Sequence, residues 1–252
     1  YLFRTRIRTI RLTAASLHPS GPLLRAICSL GVSPFLNQMA MFLVQITLNN
    51  TLTYYGALSH YGEDIPLACV GVISKVNILM LGFTLGISQG CQPIFSYNYG
   101  ARQYSRVREA YRKAIVAASV ICCIAFVCFQ LFPRPIVALF DPSGSEEYFQ
   151  FAERYFRIYM FMTLANAFQP ITANFFTSIG KAKRGALIAL TRQVIFLIPL
   201  ILIFPLFLGI DGVMYAGPIA DSAAVVVALA LVTREMKRMP HVDEPVAADT
   251  LV

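Results

Sequence analysis

Two charged residues stand inside long apolar runs of this sequence: Lys75, between residues 67 and 95, and Asp221, between residues 213 and 233. Each lies eight residues into its run, so on helices rising ~1.5 Å per residue both sit ~12 Å deep. A lone charge in a bilayer costs at least ~2.5–3.5 kcal/mol on an insertion scale, so each needs a partner or a water path. Such residues can form an ion pair or recognise a charged species. Lys75 and Asp221 are expected to pair inside the fold, or one of them to face a cavity and respond to a coupling ion or a substrate. A fixed pair that only sets helix packing fits the same spacing.

Six amides share these apolar surroundings: Gln38, Gln45, Asn77, Asn166, Gln169 and Asn174. They could line a cavity, or hydrogen-bond between helices at ~0.6 kcal/mol per pair. Pro93 and Pro170 each follow a glutamine and are candidate bends, either moving during function or static. Covalent chemistry has no support. HExxH and paired carboxylates within an apolar run are missing from the sequence, so no enzyme and no cofactor is expected. Five of the six cysteines (Cys28, Cys69, Cys91, Cys122, Cys123 and Cys128) lie in apolar runs and read as small buried hydrophobes. His18, His60 and His241 are scattered over loops and tails, so no metal site is expected.

The elements that hold these residues follow from composition. The 252 residues are 57% hydrophobic and 13% charged, against about 25% charged in soluble domains. This is the balance of an all-α integral membrane protein. Without Trp, anchoring at the interfaces falls to 12 Tyr and 19 Phe. A spanning helix needs about 20 apolar residues. Six spans are predicted near 33–55, 67–95, 114–132, 155–177, 187–208 and 213–233, within a lobe covering 26–236. A basic linker over 1–25, broken by Pro19, Gly21 and Pro22, precedes them, and a tail over 237–252 follows. A short interfacial helix is predicted at 136–140 and a tight turn at 209–212. Gly82, Gly86 and Gly90 would allow close helix approach. A chain that starts at Tyr1 is expected to be the later part of a longer reading frame.

Charge orients the spans. The linker, a loop over 100–113 (Arg102, Arg106, Arg108, Arg112 and Lys113), the segment with Lys181, Lys183 and Arg184, and residues 234–238 hold sixteen of the 21 Lys and Arg. The opposite loops hold Arg134, Arg154 and Arg157 against seven acids. By the positive-inside rule the first set is cytoplasmic, with both ends of the chain on that side. The net charge of +8 is therefore a topology signal, and no nucleic-acid partner is expected. These cations read as topology determinants and headgroup contacts. Arg192, about five residues inside its span, is expected to snorkel to the headgroups. Gln92-Pro93-Ile94 and Gln169-Pro170-Ile171 echo each other in two inward-running spans.

The run Gly86-x-Ser88-Gln89-Gly90-x-Gln92-Pro93-Ile94-x-Ser96-Tyr97-Asn98-Tyr99-Gly100-Ala101 resembles the second repeat of the multidrug and toxic compound extrusion (MATE) transporters, and most closely their bacterial efflux branch. Leu30-Gly31-Val32-Ser33-Pro34-Phe35, Phe140-Asp141-Pro142, Gln169-Pro170 through Phe176, Ser178-Ile179-Gly180-Lys181 with Lys183, and Gly209-Ile210-Asp211-Gly212-Val213 fit in order across about 26–236. The resemblance implies one six-helix lobe of a two-lobe, twelve-helix multi-pass transporter of the bacterial inner membrane. It implies alternating access that exchanges Na⁺ or H⁺ for organic, often cationic, compounds, with an N-terminal six-helix lobe as partner. Some members bind the coupling ion with acidic residues in the first and fourth helices of this lobe; here those helices offer Gln38, Gln45, Asn166 and Asn174. A lipid-linked oligosaccharide flippase of the same superfamily, with a larger and more cationic cavity, is an alternative. A non-transporting membrane scaffold is another.

Overall fold

In lipid every backbone donor and acceptor must find its partner within the chain, so apolar runs of this length fold as helices. The computed structural model describes residues 20–142, 144–240 and 243; residues 1–19 of the expected linker and most of the expected tail lie outside the described residues. In order come α1 (Gly21–Ala57), α2 (Asp64–Gly100), α3 (Tyr104–Leu131), the short α4 (Pro133–Ala138), α5 (Glu146–Tyr159), α6 (Ala165–Ser178), α7 (Ala182–Leu190), α8 (Ile198–Leu208) and α9 (Ile210–Arg238). No strand occurs among the described residues. The chain is an all-α membrane lobe. The unit Ala182–Leu208 is continuous, and with α2, α3 and α9 it is long and apolar enough to cross a membrane.

Several boundaries depart from the sequence expectation. Pro22 falls in the first turn of α1, where its missing N–H is harmless, so Gly21 and Pro22 begin the helix rather than break the chain before it. The basic loop shrinks to a turn over 101–103. Arg106, Arg108, Arg112 and Lys113 already belong to α3, because Arg and Lys are good helix formers. The short helix after α3 begins at Pro133, three residues before its expected start.

The fourth span is not one helix. Ser145 caps α5 by accepting a hydrogen bond from the Tyr148 amide at 3.2 Å, with Glu146 and Glu147 in the first turn and Arg157 in the last, matching the helix dipole. The chain then tightens into a 3₁₀ turn over Met160–Met162, where the Thr163 hydroxyl donates to the Met160 carbonyl, before α6 begins. The fifth span carries a π-helical segment, Thr191–Leu197, just ahead of Pro199. Pro199 supplies no N–H to the carbonyl four residues back, and the wider turn lies where the α ladder is interrupted.

The turn into α9 is a single residue, Gly209, at φ +58° and ψ −142°, which only glycine adopts without strain. Gly212 lies inside α9, where a Cβ would stand 2.5 Å from the Phe204 carbonyl carbon. The main core runs through α2, α3, α5, α6 and α9. Phe175 meets Phe95 at 5.3 Å and Tyr111 at 5.0 Å, and Phe129 meets Phe156 at 5.4 Å. Lipid tails are as apolar as these rings, so close packing rather than water exclusion holds them.

Candidate functional site

Three polar joints tie the helices together. The first is a seam between α2 and α6. The Asn174 side-chain amide donates to Ser88 Oγ at 2.8 Å, and Ser88 Oγ donates to the Pro170 carbonyl at 3.3 Å. The Thr172 hydroxyl donates to the Phe168 carbonyl at 2.7 Å, which leaves it to accept from Tyr111 of α3 at 2.8 Å. Gln169 Nε2 reaches the Ile188 carbonyl of α7 at 3.4 Å. Asn174 and Gln169 are thus engaged between helices of this lobe. Pro170 lies within α6 and Pro93 on the exposed face of α2, and both helices continue through them.

The second joint corrects two expectations. Asp221 is buried, and its partner is Arg192, whose Nε lies 2.5 Å from Asp221 Oδ1. Arg192 therefore does not snorkel. The π-helical segment that carries it packs against α9, and pairing there removes the cost of a lone buried carboxylate. Tyr159 closes over the adjoining turn of α9, where Gly217 leaves room for its ring. Lys75 lies on the outward face of α2, exposed, with no ion pair among the described residues. The expected pairing of Lys75 with Asp221 is not formed.

The third joint is Glu235, 2% exposed, which takes hydrogen bonds from both Lys181 and Arg184. These two cations turn inward instead of lying only on headgroups, Lys181 also standing over the Tyr99 ring at 6.0 Å and Arg184 over Phe176 at 6.0 Å. The signal for Glu235 is periodicity. Asp221, Ala224, Ala228, Val232 and Glu235 recur every three or four residues, and all are buried on one face of α9. Both acids of that face are met by cations from neighbouring helices.

Other polar residues of the spans face outward. Gln38, Gln45 and Asn49 form a stripe along α1, with Gln45 Nε2 donating to Asn49 Oδ1 at 2.9 Å. Gln38 also lines an open pocket of about 430 Å³ with Phe35, Met39, Met41 and Phe42. Asn77 is half-buried on α2, and the side chain of Asn166 lies outside the described residues. Among the described residues nothing lies within 4 Å of where a Cβ would stand at Gly82, Gly86 or Gly90, so no described helix approaches them there. Cys69 and Cys122 are buried, whereas Cys28, Cys123 and Cys128 face outward. Among the described residues no three His, Cys, Asp or Glu gather as a metal site.

At the basic end Arg102, Arg106, Arg112 and Lys183 are exposed, and Arg108 donates to the Pro240 carbonyl at 3.1 Å. Asp243 accepts from the Ser105 amide at 2.9 Å and from the Ser105 hydroxyl, capping the first turn of α3; these bonds hold its carboxyl below the usual range.

A family model described as MatE matches residues 38–203. Multidrug export protein MepA of Staphylococcus aureus (strain bovine RF122 / ET3-1) is 23% identical over 216 residues, covering 85% of this chain and 45% of that protein. A solved structure described as the outward-facing conformation of a multidrug resistance MATE family transporter of the MOP superfamily superposes with TM-score 0.80 at 21% identity, over 94% of this chain and 52% of its own. Another, described as an inward-facing conformation of such a transporter, gives TM-score 0.79 at 21% identity, over 94% and 53%. The chain spans about half the length of the curated relatives it matches.

Proposed function

This chain belongs to the MatE family, and from that premise we propose that it forms the C-terminal lobe of a secondary active exporter. In this reading the exporter moves organic, often cationic, compounds out of the cell in exchange for Na⁺ or H⁺ by alternating access. An N-terminal six-helix lobe completes the transport path, the protein sits in the bacterial cytoplasmic membrane, and both ends of this chain face the cytoplasm.

One observation carries the reading. The spans expose polar side chains, the amide stripe Gln38, Gln45 and Asn49 of α1 and Lys75 of α2, while burying the Asp221–Arg192 pair. Lipid satisfies none of the exposed groups, so they require a water-filled path or a protein partner. The second lobe of a transporter supplies both.

The three joints make α2, α3, α6, α7 and α9 one body. Alternating access then rocks this body against its partner instead of reshaping it. Similar superposition on an outward-facing and an inward-facing transporter supports that division of labour. The first and fourth spans carry no Asp or Glu, so in this reading the coupling carboxylate belongs to the other lobe.

The reading is tested by expressing the full-length polypeptide that contains this chain in a pump-deficient bacterial host and following ethidium efflux with and without a Na⁺ gradient. Efflux that collapses with one ion gradient identifies the coupling ion. Ethidium retention equal to that of the empty host refutes the assignment.

A further inference from the structure

We propose that Lys75 is an anion-binding residue of the transport path and that it takes a carboxylate carried by the transported compound. The inference rests on the transport reading and adds to its substrates organic compounds that carry a negative group. Lys75 lies 11 residues into α2, ~16 Å along the axis from its outer end. It is exposed there, and no ion pair holds it among the described residues.

An exposed, unpaired ammonium inside a span needs water or a ligand from outside this lobe. The surrounding surface is shaped for close approach. At 3.6 residues per turn, Gly71, Lys75, Gly82, Gly86, Gln89 and Pro93 fall within about 60° of one another on the helix, all of them exposed. These five glycine, glutamine and proline positions share the strip with Lys75, with Ile78 exposed beside them, and no atom lies within 4 Å of a Cβ built at Gly71, Gly82 or Gly86.

The neighbouring α3 exposes Val116, Val120, Ile124, Val127 and Leu131. The neighbouring α1 runs antiparallel, and by residue count from the shared loop Asn49 and Gln45 bracket Lys75 in depth. Residues 33–55 and 67–95 hold no Asp or Glu, and Asp221 is occupied by Arg192. A cation with no competing carboxylate beside it selects a negatively charged group. That carboxylate could come from the transported molecule or from the rest of the transporter, and transport of two probes separates the sources.

The full-length polypeptide is reconstituted in vesicles, and transport of fluorescein, an anionic carboxylate, is compared with transport of ethidium, a cation. Lys75→Gln is expected to lower fluorescein transport about tenfold and leave ethidium within about twofold, whereas Lys75→Arg keeps both within about threefold of the parent. Equal loss of both probes in Lys75→Gln assigns the carboxylate to a protein partner and overturns the proposal, as does no change in either. Parent protein that moves ethidium but not fluorescein overturns this inference alone. Parent protein that moves neither overturns the transport reading together with it.

Discussion

Arg192 Nε donates to Asp221 Oδ1 at 2.5 Å, and through this bond the π-helical segment of the fifth span is fastened to α9. Both side chains are nearly buried, at 13% and 11% exposure. Removing one partner leaves the other as an uncompensated charge. Asp221→Leu is expected to lower stability by about 3–5 kcal/mol, and the double variant Asp221→Leu with Arg192→Met to recover most of that loss. Thermal unfolding in detergent measures both. Equal stability of the single variant and the parent removes the pair from the account.

The clamp on Glu235 behaves asymmetrically. Glu235 is buried, but Lys181 and Arg184 are 35% and 38% exposed and can swing to the headgroups when released. Glu235→Gln is expected to lower stability by about 1–3 kcal/mol. Lys181→Met with Arg184→Met strands a buried carboxylate and is expected to cost about 3–5 kcal/mol. The order of the two melting temperatures decides the point, and the reverse order contradicts the clamp.

Much of this was legible in the sequence because span length and loop charge are one-dimensional signals. The run from Asp64 to Gly100 reads as a helix from its apolar content, and Arg102 with its neighbours gives its cytoplasmic end. The partners were not legible. Asp221 and Lys75 share a depth, but depth says nothing about which side of a helix faces which neighbour, and Arg192 reaches Asp221 from a π-helical turn whose sole cue is Pro199. The break at Met160–Met162 lies inside an apolar stretch with no Gly or Pro, so periodicity ran straight across it. Glu235 was hidden among Arg234, Lys237 and Arg238, although its spacing from Val232 places it on the buried face.

Close packing is tested at Gly185. A Cβ there would lie 2.6 Å from both the Ala173 carbonyl oxygen and Thr177 Oγ1, so α6 and α7 would have to separate. Gly185→Ala is expected to destabilise by about 1–3 kcal/mol. Gly86→Ala, with open space around it, is expected to leave the melting temperature of this lobe unchanged.

The tail contact has a pH signature. Hydrogen bonds from Ser105 depress the Asp243 carboxyl, so the contact is complete above the ordinary value of 3.8 and is lost as pH falls through the depressed value. A fluorophore on Pro240→Cys is expected to gain mobility on acidification below that range. Asp243→Asn is expected to abolish the transition, and a mobility that titrates identically in that variant contradicts the contact.

The most direct test of the account is solute movement driven by an imposed ion gradient. Vesicles holding the full-length polypeptide are loaded with buffer, and ethidium transport is followed after a Na⁺ or a proton gradient is imposed. The account predicts transport that starts with one gradient, reverses when the gradient is reversed and disappears when an ionophore dissipates it. Ethidium movement that ignores both gradients, or that matches protein-free vesicles, contradicts it.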